Sequence, residues 1–259
     1  MKRVATIFSL LIFYLSSQIV FAQHARFTTE GSIEFEKSVN MHAQIKKLIN
    51  KNNETFYLPA FEQYKKTQPQ FKTMQSVLSF SKDKTMYMPV VGDAPTRSFF
   101  SELPAANQNS IIYTDLSISK SIAQKNVYEE LFLVTDSTRK INWKLTSETR
   151  DIAGYNCRRA NALIMDSIYV VAFYTDEIPV SGGPESFTGL PGMILGVALP
   201  HENITWFAKM VHDKAVPAGT IVPPKKGKIT TTAGLITTLK NALKNWGEYA
   251  QTQLKAYLL

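Results

Sequence analysis

The stretch SIIYTDLSISKSIAQKNVYEELFLVT, residues 110–135, decides the fold class of this chain. Apolar and polar side chains repeat in it with a period close to two, which is typical of strands with one buried face. We predict three successive strands, over residues 110–116, 118–125 and 127–135. Because no segment of crossover length separates them, the pattern favours an antiparallel arrangement over a parallel α/β sheet.

The same pattern extends to both sides of this stretch. Upstream, residues 27–36 (FTTEGSIEFE) place apolar or small side chains on odd positions, and residues 74–88 predict a hairpin. Downstream, polar turn residues separate most of the further predicted strands, at residues 141–146, 156–165, 168–176, 193–199 and 203–212. Many short strands at this spacing predict a mainly β fold, either an antiparallel sandwich or an incomplete barrel.

Helical patterns are confined to two segments. Residues 40–70 are polar and lysine-rich, with a weak helical pattern around Met41 to Ile49, and are predicted to form a helix or loop excursion that covers one end of the sheet. A C-terminal amphipathic helix is predicted over residues 231–257, where apolar side chains recur at steps of three and four: Leu235, Leu239, Leu243, Trp246, Ala250, Leu254 and Tyr257. Gly247 weakens this helix by roughly 1 kcal/mol relative to alanine. We expect the helix to pack on the sheet and residues 23–259 to form a single domain.

The first residues predict export from the cytoplasm. Met1-Lys2-Arg3 precede an apolar run at residues 4–21, and a small residue, Ala22, ends it. This is the order of a cleaved signal peptide, so we expect a mature chain that begins at Gln23 and is periplasmic or secreted. No cysteine follows the cleavage site, so a lipoprotein is not predicted. An uncleaved membrane anchor is the alternative, which the polar residues 16–18 disfavour, and no later segment is long and apolar enough to span a bilayer.

The distribution of charge argues against nucleic-acid binding. The full sequence has a formal net charge of +8, but its basic residues are scattered, as in Lys46-Lys47 and Arg158-Arg159. A nucleic-acid binder usually gathers them on one element together with exposed aromatic side chains. We interpret the pattern as a solvated, mildly basic surface. The single cysteine, Cys157, cannot form an internal disulfide and is predicted to be a small buried side chain.

Neither a metal site nor a cofactor is predicted. The four histidines show no HExxH motif and no pair at a spacing of four residues, whereas a metal site needs convergent ligands. The spaced methionines Met86 and Met88 resemble those of copper-binding sites, since thioethers suit Cu(I). In a hairpin that turns symmetrically at Asp83, however, Met86 faces Phe80 and Met88 faces Leu78. We therefore expect both methionines to pack in an apolar layer.

The most distinctive stretch reads AFYTDEIP at residues 172–179, followed by Gly183-Pro184 and by GLPGMIL at residues 189–195. It resembles the GLPGLI family of exported bacterial proteins, with Met193 in place of the second leucine of the family name. The resemblance is densest over about residues 125–200. It implies a periplasmic or outer-membrane-associated location and no established reaction.

Glycine and proline give this motif a rigid, non-repetitive backbone, because proline restricts φ and glycine accepts positive φ. In a structural interpretation, the motif is a connection that closes the sheet, with Leu190 in the core. In a functional interpretation, it is a preformed loop that offers backbone N–H groups to an anion or a peptide. The ligand-binding residues expected in that case are Tyr174, Glu177, Pro184, Gly189, Leu190, Pro191 and Gly192.

These features predict a non-catalytic envelope module that binds a hydrophobic or peptide ligand, or a partner protein, on a concave sheet. The expected partner is a cell-envelope protein, a peptide or a lipid, and residues 174–192 are expected to form the rim of the site. Two other classes stay open: an envelope hydrolase with a spatially assembled site, and a purely structural or assembly protein. No catalytic residue is assigned, because Ser181-Gly182-Gly183 lacks the GxSxG elbow. Asp176 and Glu177, as neighbours on a strand, point to opposite faces.

Overall fold

The computed structural model of the protein describes residues 27–92, 99–107 and 110–259. The predicted signal peptide, residues 1–22, lies outside the described residues, so its cleavage stays a prediction. Within the described ranges, no helix combines the length and the apolar character needed to cross a bilayer.

Two helices follow the first strand, within the segment where a helix or loop excursion is predicted. Strand β1 (Glu30–Asn40) leads directly into α1 (Met41–Leu48), and α2 (Glu54–Thr67) follows. The Asn40 side chain accepts a hydrogen bond from the Ala43 amide and so caps the start of α1. The next strands are β2 (Phe71–Ser81), β3 (Lys84–Pro89), β4 (Ser110–Asp115), β5 (Lys120–Val127) and β6 (Glu130–Ser137).

The second half of the chain begins with another series of strands and ends with helices. The strands are β7 (Lys144–Ile152), β8 (Tyr155–Ile164), β9 (Ile168–Thr175), β10 (Met193–Leu199) and β11 (Ile204–His212). A short strand, β12 (Lys228–Thr230), precedes the helices α3 (Thr232–Ala242) and α4 (Glu248–Leu258). β12 is not predicted from the sequence, because three residues are too few to show a period.

All twelve strands join one sheet, in the order β12-β6-β5-β4-β3-β2-β1-β11-β10-β9-β8-β7. Each neighbouring pair is antiparallel except β12 and β6, which are parallel. The prediction of a mainly β, largely antiparallel fold is confirmed. The sheet stays open, since its two edge strands, β12 and β7, are not paired with each other.

The sheet is strongly curled. β2, β3 and β4 separate β1 from β5, so residues on β1 and β5 lie about 19 Å apart in a flat sheet. Yet Lys37 of β1 and Lys125 of β5 line one cavity together with Ile204 and Trp206 of β11. The sheet therefore has a concave face, on which the core side chains converge, among them Phe35, Phe80 and Trp206.

The register of the β2–β3 hairpin differs from the predicted one by one residue. Ser81 pairs with Lys84, so Met86 lies opposite Ser79 rather than Phe80, and Met88 lies opposite Val77. A two-residue turn replaces the symmetric turn at Asp83, with Lys82 in the left-handed region at φ 52°. Because one residue of slip exchanges the two faces of a strand, Tyr87 enters the core on the concave face. Met86 is still buried, at 6% exposure, on the opposite face, and Met88 is half-buried.

The predicted C-terminal helix over residues 231–257 is divided into α3 and α4. Gly247 adopts φ 55°, which a right-handed helix does not contain, and the chain changes direction there. Leu235, Leu239 and Leu243 of the predicted stripe are buried, as an amphipathic helix requires. Trp246, which the stripe also includes, lies at the break and is 45% exposed.

Candidate functional site

Hydrogen bonds tie the loop that connects β9 to β10, residues 176–192, to other parts of the molecule. The indole Nε1 of Trp143 donates a hydrogen bond to the Thr188 carbonyl at 2.9 Å. The Ser186 hydroxyl donates to the Leu259 carbonyl oxygen at 3.1 Å. Hydrogen bonds of this kind, together with the prolines, hold the loop in one conformation.

The seven residues that the sequence nominates for ligand binding do not form one surface. Four are buried: Tyr174, Pro184, Leu190 and Gly192. Three are exposed: Glu177, Gly189 and Pro191. Leu190 is only 2% exposed and belongs to the core, as the structural interpretation of the motif expects. None of the seven lines any of five cavities that the described residues form.

Other residues of the same loop do reach a cavity. Ser186 and Thr188 line a space of about 410 Å³, here called the large cavity, enclosed by β4, β5, β6, α3 and the end of α4. Its apolar wall consists of Ile112, Ala123, Val134, Leu235 and Leu258. Its charged and polar lining includes Lys125, Arg139, Asp136, Thr114 and Ser121. The volume falls within the range of about 300–1,000 Å³ that is typical of small-molecule sites.

A smaller space of about 40 Å³, here called the inner cavity, adjoins the large cavity at Lys125, which lines both. Lys37 and Glu185 line it and are nearly inaccessible, at 5% and 8% exposure. The Lys37 ammonium donates to the Asn107 carbonyl at 3.0 Å and lies 5.2 Å from the centre of the Trp206 ring. Both contacts compensate in part for the cost of burying a charge.

Burial lowers the pKa values of the two lysines that line the inner cavity. It lowers the pKa of Lys37, while attraction to Glu185 acts in the opposite direction. Lys125 is partly exposed along its length, but enclosure of its ammonium group lowers its pKa to about 8. Glu185 again opposes the shift, and the nearby charges of Arg139 and Lys37 add to it. Desolvation also lowers the pKa of Arg139.

The last turn of α4 lies against these cations. The Lys125 ammonium donates to the Tyr257 carbonyl at 3.1 Å, and Nη2 of Arg139 donates to the Leu258 carbonyl at 2.5 Å. Carbonyl groups at the C-terminal end of a helix have no partner within the helix and carry partial negative charge, so they attract cations. The two basic side chains therefore hold α4 against the sheet.

The carboxylate on the wall of the large cavity is an acceptor for backbone groups. Asp136 accepts from the Ser137 amide at 2.8 Å and from the Thr232 amide, near the start of α3, at 3.1 Å. Hydrogen bonds from Ser137 and then from Thr232 lower its pKa. A general acid needs a raised carboxyl pKa, so this arrangement suits a structural role. Among the residues that the structure describes, no group of three or more potential ligands is arranged to hold a metal ion.

Sequence reasoning misses Lys37, Lys125, Arg139 and Glu185. The signal for the two lysines was present, because each continues the buried series of its strand. The odd positions of β1 are buried from Gly31 to Val39, and Lys37 is one of them. In the same way, Lys125 stands between the buried Ala123 and Val127 at a period of two. No comparable signal exists for Arg139 and Glu185, which lie in irregular segments.

The structure confirms the prediction that Cys157 is buried. Cys157 is fully buried, and burial raises the pKa of its thiol to about 12, with a smaller contribution from the charges of Glu177 and Asp151. A thiol with such a pKa stays protonated at neutral pH and is a poor nucleophile. The side chain is therefore a small apolar part of the core.

One segment of the chain matches the model of a known protein family. Residues 163–196, which comprise the end of β8, β9, the connecting loop and the start of β10, match a family described as "Protein of unknown function (Porph_ging)". The matched segment includes the stretch on which the family resemblance was recognised. A search of curated proteins found no match.

The fold is similar to solved structures of a longer protein. The structure of PNGF-II in the C2 space group matches with a TM-score of 0.50 and 15% sequence identity, over 83% of this chain and 33% of that chain. The structure of PNGF-II in the P21 space group matches with a TM-score of 0.49 and 17% identity, over 84% of this chain and 34% of that chain. This chain spans about a third of the length of either structure. At such low identity, the likeness concerns the fold alone.

Proposed function

We propose that this chain is a non-catalytic module of the bacterial cell envelope that binds a hydrophobic ligand, or an apolar segment of a peptide, in the large cavity. The observation that carries the proposal is the wall of this cavity. Apolar side chains of three neighbouring strands and two helices face a space of about 410 Å³ that no side chain of the described residues fills. Apolar surface around an open space of this size favours an apolar occupant, since contact with water is unfavourable.

Two sequence features support the envelope location. Residues 1–22 have the pattern of a cleaved signal peptide, and residues 172–195 resemble the GLPGLI family of exported proteins. The match of residues 163–196 to a family of unknown function overlaps the second feature. Under the proposal, this loop has two parts. Leu190 anchors it in the core, and Ser186 and Thr188 face the ligand.

Export has a direct test. Expression of the full chain in a Gram-negative host is expected to yield a periplasmic protein whose first residue is Gln23, as determined by cell fractionation and N-terminal sequencing. The variant Ala22→Trp is expected to remain uncleaved, because signal peptidase needs a small residue at that position. Recovery of the unchanged chain in the cytoplasm contradicts the proposed location.

Ligand binding is tested with N-phenyl-1-naphthylamine, a neutral dye whose fluorescence rises in apolar surroundings. The mature protein is expected to raise this fluorescence in a saturable manner. The variant Ala123→Phe is expected to lose most of the rise, because Ala123 is buried on the cavity wall and a phenyl group there occupies the ligand space.

The matched control is Gln124→Phe, the next residue of β5, whose side chain points to the opposite face of the strand. It adds the same aromatic group and is expected to leave the fluorescence rise unchanged. A thermal melt of each variant establishes that it is folded. The proposal fails if the wild-type protein gives no saturable rise, or if both folded variants bind the dye equally well.

A further inference from the structure

The lining of the large cavity combines apolar and cationic side chains. Ile112, Ala123 and Val134 of the sheet form part of its apolar surface. Lys125, two residues from Ala123 on β5, and Arg139 also line the cavity and supply positive charge. A ligand that matches this lining has an apolar body and a negatively charged end.

The charged side chains that line the large cavity do not balance. Lys125, Arg139 and Lys140 are basic, whereas Asp136 is the one acidic side chain on this lining. Removing a cation from water is unfavourable unless an opposite charge lies nearby. An anion that enters the cavity therefore gains an attraction that the protein alone leaves incomplete.

The helix α4 supplies only a partial substitute for that anion. The carbonyl oxygens of Tyr257 and Leu258 accept hydrogen bonds from Lys125 and Arg139, but a peptide carbonyl bears no formal charge. An ammonium has three donors and a guanidinium has five, so both cations retain donors for a second acceptor. The hydroxyl groups of Ser121 and Thr188 lie on the same lining and can donate to an anion.

We infer that the ligand of the large cavity is an amphiphile with a single alkyl chain and an anionic head group, either a carboxylate or a phosphate. The head group contacts Lys125 and Arg139, and the alkyl chain lies along the apolar wall. This inference rests on the proposed function, because it specifies the chemical class of the hydrophobic ligand. Exposed Lys140 at the same cavity adds to the positive potential, and the Asp136 carboxylate opposes it.

The inference is tested by isothermal titration calorimetry of the mature protein with four ligands that share a decyl chain: decanoate, decyl phosphate, decanol and decyltrimethylammonium. We expect at least one of the two anions to bind about tenfold or more tightly than decanol, as a charge-assisted hydrogen bond contributes on that order. The cationic ligand is expected to bind most weakly. The ratio between decanoate and decyl phosphate identifies the head group.

Variants locate the head group. Lys125→Gln and Arg139→Gln are each expected to weaken binding of the preferred anion by about tenfold and to affect decanol binding much less, because the glutamine amide can still donate to the carbonyl groups of α4. Lys120→Gln is the matched control, because Lys120 is an exposed lysine on the same strand that does not line the cavity. If Lys125→Gln weakens decanol and the anion equally, the loss reflects altered packing, and the assigned head-group position is wrong.

The pH dependence gives a second readout. Below pH 8 the Lys125 ammonium is charged, and above about 8 it loses its proton, so affinity for the anion is expected to fall as the pH rises through this range. The fall is expected to be smaller in Lys125→Gln. The titratable and charged groups that face or adjoin Lys125 are Lys37, Arg139, Asp136, Glu185 and Tyr257.

Failure of this inference is distinguishable from failure of the proposed function. If decanol and both anions bind with equal affinity, or if decyltrimethylammonium binds best, the cavity takes apolar ligands and the anionic head group is wrong. If none of the four ligands binds and the dye does not bind either, the proposed function fails, and this inference fails with it.

Discussion

Replacement of Gly192 by alanine is expected to destabilise the protein by more than about 3 kcal/mol. Gly192 adopts φ 155°, and a Cβ atom built there lies 2.1 Å from the Thr175 carbonyl oxygen. That oxygen belongs to the backbone at the end of β9 and cannot move aside as a flexible side chain does. The substitution therefore forces apart β9 and the start of β10, on which the connecting loop depends.

Urea denaturation of the purified variant measures the change in the free energy of unfolding. Gly154→Ala is the matched control, because Gly154 also has a positive φ, 85°, but no atom lies within 4 Å of the added Cβ. Only the backbone strain remains there, so we expect a loss of about 1–2 kcal/mol. Equal losses in the two variants contradict the steric explanation for the second glycine of the motif.

Replacement of Trp206 by alanine is expected to cost about 3–5 kcal/mol of folding free energy. Trp206 is 1% exposed on the concave face, and its ring centre lies 6.0 Å from that of Phe187 in the connecting loop. Lys37 pairs with it across β1 and β11 and sits over its ring. The substitution leaves a cavity, separates the loop from the sheet and removes the aromatic partner of a buried ammonium.

The control is Trp246→Ala, which removes an identical side chain from the break between α3 and α4, where it is 45% exposed. We expect a loss below about 1 kcal/mol there, since little buried volume is lost. Chemical denaturation of both variants, followed by circular dichroism, compares them without reliance on tryptophan fluorescence. A small loss at Trp206, similar to that at Trp246, excludes the proposed role of this residue in joining loop and sheet.

Much of the sheet follows from local pattern. β4, β5 and β6 begin and end within a few residues of the predicted strands, because each presents one buried face and each is bounded by polar turns. The strand after the GLPG motif begins at Met193, as predicted. The predicted register of the β2–β3 hairpin is wrong by one residue. A two-residue turn and a three-residue turn are both compatible with the amino-acid composition of this segment.

The candidate site follows from local pattern only in part. The sequence points to the correct loop, but it selects the residues with distinctive backbone chemistry, such as Gly189 and Pro191, which are exposed and do not line the large cavity. The loop residues that do line the large cavity, Ser186 and Thr188, have unremarkable side chains. A lysine on the buried face of a predicted strand, as at Lys125, is the signal that sequence reasoning underweighted.

By itself, the sequence determined most of the segments that become strands and, except in the β2–β3 hairpin, which of their faces is buried, because a period of two is a property of neighbouring residues. It also determined that Cys157 is buried, since this small side chain lies within such a pattern. For Leu190 the sequence left a structural and a functional interpretation open, and the tertiary structure places this side chain in the core. Only the tertiary structure decided that Lys37 and Lys125 meet at one cavity. Their strands are joined through three others, and the curl of the whole sheet, with the position of α4, sets the distance between them.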